Sequence, residues 1–193
     1  MAFSKLSSPY KWVAALLWIT SISEFSSLAI YMIWKFNAPI AHLYAALCVV
    51  IYYKIYEALL HGRKGWSLIR ILFALLLVFC IINSCFIQSI YILPTHSVNA
   101  TSLLVVTCSL MVFVNMLDEP VSTSLWRQSK FWLNASVFFY HTTSFVVWTV
   151  PNYFQANQIM SEIPQYLVPV MCCFFYAALA VSLYLNKREN EIR

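Results

Sequence analysis

Six runs of mostly apolar residues, at 12–34, 39–60, 66–93, 101–117, 131–150 and 164–185, fill almost the whole chain. A bilayer hydrocarbon core of ~30 Å takes about 20 apolar residues of helix to cross. The connectors "KFNAP", "HGRKG", "PTHSVNA", "DEPVSTSLWRQSK" and "PNYFQANQIMSEIP" hold the turn formers Pro, Gly, Asn and Ser. In lipid, only helices and closed barrels satisfy their backbone polar groups. Barrel strands need only ~9–11 residues, so runs of this length predict helices. The expected fold is all-α: one polytopic transmembrane bundle over residues 1–193 with six spans. Composition agrees, since 10% of residues are charged against roughly 25% in soluble domains.

Basic residues set the orientation. With six spans, both termini and the second and fourth connectors share one side of the membrane. That side carries Lys5, Lys11, Arg63, Lys64, Arg70, Arg127, Lys130, Lys187, Arg188 and Arg193, with Lys54 in snorkelling reach. The other side carries only Lys35. This asymmetry predicts both ends in the cytoplasm. The first run is too long for a signal peptide, contains Glu24, and is followed by no A-x-A site, so it reads as an uncleaved span.

Polar residues inside the runs are the candidate site. A charge at mid-membrane costs ~2.5–3.5 kcal/mol, so Glu24 is expected to be paired, neutralised or facing water. Helical spacing places Thr20, Glu24, Ser27 and Tyr31 on one stripe directed into the bundle. The fifth run offers a matching face of Asn134, His141, Ser144 and Trp148. A Glu24–His141 pair has two open readings, a proton- or ligand-responsive site or a hydrogen-bonded helix clamp. His42, Asn83, Ser84 and Gln88, with His96 and Asn99 in a loop, form a second group towards the outer leaflet. Lys54 and Glu57 are three apart and read as a local pair.

Other classes find little support. The six cysteines all fall in apolar runs without CxxC or Cys/His spacing, and read as small buried hydrophobes. No metal or other cofactor is expected. HExxH, GxSxG and paired membrane aspartates are missing, so the chain leans away from enzymes. The net charge of +5 follows topology, with no basic and aromatic run suited to nucleic acid.

Four phrases, "SEF" at 23–25, "NAPIAHLYAALCVVIYYKIYEAL" from Asn37, "INSCFIQS" from Ile82 and "SKFWLNASVFFYH" from Ser129, resemble a family of uncharacterised small polytopic membrane proteins common in Bacteroidetes. In that resemblance Glu24 matches an acidic residue of an early span. Asn37, His42 and Tyr44 match an Asn…His-x-Tyr element, and Asn83, Phe86 and Gln88 match an "N…F.Q" element. Members often have a further helix before the acidic residue. They also often carry an acidic residue after His-x-Tyr, which 45–49 lacks here. The resemblance implies a six- or seven-helix membrane fold and no activity.

The functional expectation is a bacterial inner-membrane module, non-enzymatic, binding a proton or a small polar ligand for sensing or transport. Its candidate residues are Glu24, His141, His42, Asn83, Gln88 and Asn134. Its expected surroundings are the lipid bilayer and a membrane-protein partner or second copy. A structural or accessory subunit is the alternative, and an intramembrane enzyme acting on lipid comes third.

Overall fold

The computed structural model describes residues 6–118, 124–156 and 163–192, and no strand occurs among them. Six long helices follow in order: α1 (Ser8–Trp34), α2 (Ala38–Leu60), α3 (Trp66–Ile82), α4 (Thr95–Asp118), α5 (Ser129–Ala156) and α6 (Ile163–Ile192). A π-helical turn, Asn83–Ile87, extends α3, and a 3₁₀ turn, Leu125–Arg127, precedes α5. Five of the six regions, all but α5, are long and apolar enough to cross a membrane. The 28-residue α5 has length to spare. Asn134, His141 and the neighbouring hydroxyls of the run expected at 131–150 lower its hydropathy instead.

Large apolar side chains stand on the surface, while the core mixes apolar and polar ones. Phe86 is 85% exposed, Leu117 77% and Phe25 76%, whereas Asn83 is 0% and Asn134 1% exposed. Soluble monomers rarely show large contiguous apolar patches. An apolar exterior around a core that also holds polar side chains is a distribution that lipid favours, because helices there gain from packing and interhelical hydrogen bonds. The chain is therefore built as a membrane protein.

Contacts gather in two compact units: Ser8–Thr101, and Met1–Ser7 with Ser102–Arg193. In the first, α1 buries a narrow stripe, Tyr10, Val13, Leu16 and Thr20. α2 is buried along Ala45, Cys48, Val49, Tyr52, Ile55 and Tyr56. Tyr53 of α2 lies between Trp66 and Phe73 of α3, with ring centroids 5.9 and 5.8 Å away. In the second, α5 and α6 meet through Tyr140–Phe175, stacked at 4.4 Å, and Phe139–Phe174 at 4.7 Å. Phe113 of α4 packs edge-on to Phe138 of α5 at 5.9 Å.

Helix ends follow local chemistry. Pro39 sits in the first turn of α2, where its missing N–H removes no helical bond. Gly62 and Gly65 take φ of 77° and 88° in the turn before α3, a region glycine enters without steric cost. Lys35 has φ 57° and its N–H bonds Tyr31 O at 2.8 Å, a left-handed helix stop built without glycine. Lys35→Gly is expected to stabilise the protein by about 1 kcal/mol, read as a higher unfolding temperature in detergent. A lower temperature would mean that the Lys35 ammonium, 5.6 Å over the Tyr31 ring, contributes more than the backbone cost.

α1, α5 and α6 run past the expected apolar segments, to Ser8, Ala156 and Ile192, and two boundaries shift where α3 meets α4. The third apolar run ends at its π turn rather than at Leu93, and α4 begins at Thr95 rather than 101. "THSVNA" looks like a turn by composition, yet it forms the first turns of α4 just after Pro94.

Candidate functional site

The best-defined polar cluster lies where α3 gives way to α4. The π turn there ends in a bond from Gln88 N–H to Asn83 O at 2.8 Å. Such π insertions recur at functional sites. Gln88 Oε1 accepts the backbone N–H of His96 at 3.1 Å, and Gln88 Nε2 donates to Thr95 Oγ1 at 3.0 Å. The side chain thus caps α4 from the preceding segment, satisfying one of the four N–H groups a helix start leaves open.

This cap fixes the neighbouring amide. His96 N–H can only donate, so the atom facing it must be Gln88 oxygen. That oxygen also faces the Asn83 side chain at 2.9 Å, so the facing Asn83 atom must be Nδ2. The other hydrogen of Nδ2 goes to Ser97 Oγ at 3.0 Å. Asn83 Oδ1 is left buried with no hydrogen-bond partner among the described residues. A buried acceptor in that state costs about 1–3 kcal/mol.

His42 stands beside this cluster and is buried. Its Nε2 is 3.0 Å from Ile92 O, and a carbonyl only accepts, so Nε2 carries a hydrogen. Its Nδ1 is 2.7 Å from Ser84 Oγ, which is also 2.9 Å from Cys80 O. Ser84 has one hydroxyl hydrogen for two acceptors when the ring is neutral.

The second unit holds Asn134 and His141. Asn134 Nδ2 donates to Ser109 O at 2.9 Å, tying α5 to α4, and its buried Oδ1 has no partner among the described residues. His141 Nδ1 is 3.1 Å from Ser102 Oγ, a second α4–α5 tie. Of the inward face expected for the fifth run, Asn134, His141 and Ser144 are buried and Trp148 is half-buried.

Glu24 is placed differently from the expectation. It is exposed on α1, as is Tyr31, while Thr20 is buried and bonded to Tyr44 OH at 2.8 Å. The buried stripe advances from Thr20 through the half-buried Ser23 and Ser27, and Asn37 Nδ2 donates to Ser27 Oγ. Steps of three and four residues leave Glu24 on the shoulder of that stripe. Glu24 and His141 belong to different units.

Lys54 and Glu57 pair at 2.8 Å as expected, with Tyr53 OH donating to Glu57 at 2.7 Å. Of the cysteines, Cys48, Cys80 and Cys108 are buried, but Cys85 and Cys173 are exposed and Cys172 is intermediate. The apolar runs that contain them have lipid-facing sides, which the buried-hydrophobe reading overlooked. No group of metal-ligating side chains occurs among the described residues.

Sequence reasoning missed the partners that make the site: Thr95 and Ser97, the carbonyl of Ile92, and Ser102 and Ser109. Single hydroxyls and carbonyls in apolar surroundings give no pattern to read. No protein-family model, curated protein or solved structure matches the chain.

Proposed function

We propose that the protein is a six-span, multi-pass component of a bacterial inner membrane with both termini in the cytoplasm. It acts as a non-enzymatic module that binds a proton or small polar ligand in its buried polar seam, for sensing or transport. Counting α5 as a span keeps Arg127, Lys130, Lys187 and Arg188 on the side of Arg63 and Lys64. Its polar residues are compatible with spanning because Asn134, His141 and Ser144 are buried rather than lipid-facing. The α3–α4 cluster then lies at the outer end.

The observation that carries the binding reading is Asn83 Oδ1, an acceptor oriented by the Gln88 cap and without a donor among the described residues. A ligand N–H or O–H supplies that donor.

The test compares wild type and Asn83→Leu, gently extracted, by native mass spectrometry. A small polar species is expected on wild type and absent from Asn83→Leu. Bare protein in both rejects the reading. It would favour a structural subunit, for which the Asn134–Ser109 and His141–Ser102 ties between α4 and α5 speak.

A further inference from the structure

At the last turns of α6, Leu185, Arg188 and Glu189 share one helix face by their three- and four-residue spacing. Together with Arg127 of the 3₁₀ turn they line a cavity of about 410 Å³. All four residues belong to the second unit.

The carboxylate in this cavity is already engaged. Glu189 Oε1 accepts the N–H of Ser129 at 2.7 Å, and its Oε2 accepts the Ser129 hydroxyl. Ser129 opens α5, so Glu189 sits at the positive end of that helix dipole. The Arg127 and Arg188 side chains have no carboxylate or hydrogen-bond partner among the described residues. Two unpaired guanidiniums therefore share a pocket with one carboxylate that a helix start holds.

A guanidinium fork matches the oxygens of a phosphate and binds them with charge-assisted hydrogen bonds. The surroundings fix the depth. Trp126, next to Arg127, packs on Phe131 at 5.1 Å and on Trp132 at 6.2 Å, and Trp132 Nε1–H donates to Trp126 O at 2.9 Å. Tryptophan clusters of this kind mark the headgroup level of a bilayer. Leu185 supplies an apolar wall beside the two cations. Basic pockets at the cytoplasmic ends of membrane helices hold anionic headgroups.

We propose that this cavity binds the phosphate of an anionic phospholipid headgroup through Arg127 and Arg188. The inference rests on the membrane placement given under Proposed function, and carbonate extraction of membranes tests that placement separately. If the protein is washed out of the membrane, the placement fails. If it stays, the lipid experiment bears on this site alone.

The experiment titrates detergent-purified full-length protein with phosphatidylglycerol or phosphatidylcholine and counts bound lipid by native mass spectrometry. Wild type is expected to prefer phosphatidylglycerol, and the Arg127→Gln/Arg188→Gln double variant to bind it about 30-fold more weakly, from about one cation's contribution per arginine. Arg63→Gln, which changes a basic residue in the other unit, is expected to keep the wild-type preference. An Arg127→Lys/Arg188→Lys protein guards against misfolding, since it keeps the charges and is expected to retain part of the preference. Equal phosphatidylglycerol binding by wild type and the Gln double variant overturns the site. Displacement of the lipid by millimolar inorganic phosphate would overturn the lipid assignment and identify a free-phosphate site. Lipid retained in the presence of phosphate supports the headgroup.

Discussion

Replacing Gln88 by alanine is expected to lower stability by about 3 kcal/mol. Its side chain makes three hydrogen bonds, to Asn83, the backbone of His96 and Thr95, each worth about 1 kcal/mol. Buried donors left without partners add to that loss. For a protein of this size the unfolding temperature should fall by about 6–12 °C. Ser89→Ala, one residue along and exposed, is expected to change little and serves as the comparison. If the two variants melt together, the cap is not a structural tie, and the fixed orientation of Asn83 loses its support.

Leu110→Arg is expected to cut membrane integration sharply. Leu110 is 50% exposed near the middle of α4. Arginine at a span centre costs ~2.5–3.5 kcal/mol, while leucine gains ~0.3–0.6. The combined change is about 3–4 kcal/mol in the insertion equilibrium. On the surface of a soluble protein the same replacement would fall within about 0.5 kcal/mol. The measurement is the membrane-integrated fraction of α4 in a reporter fusion, beside wild type. Unchanged integration would count against α4 as a lipid-facing span.

Much of the helix layout was legible in the sequence. Pro39, Gly62 and Gly65 mark breaks that the backbone honours, because their φ preferences hold in any solvent. The end of α3 and start of α4 were misplaced for a different reason. "SIYIL" is apolar whether or not it is helical, and "THSVNA" is polar, so hydropathy put the boundary between them. The structure instead ends α3 at Ile87 and uses Pro94 and the Gln88 cap to start α4.

The candidate site was legible in residue type more than in partnership. Asn83, His42, Gln88, Asn134 and His141 were picked because amides and imidazoles are costly in lipid, and all five are buried. Glu24 followed the same rule yet is exposed, because one helical stripe was assumed where the buried path turns through Ser23 and Ser27. Glu189 and Ser129 are sixty residues apart and join two helix ends. Spacing rules confined to one helix cannot bring such a pair together.

The Gln88 cap also bears on how the chain enters its membrane. Asn83 and Gln88 are made before the residues that satisfy them, since Thr95, His96 and Ser97 follow later in synthesis. Until that stretch emerges, the end of α3 presents two bare amides that lipid would not solvate. The end of α3 is thus completed only once the start of α4 has been made.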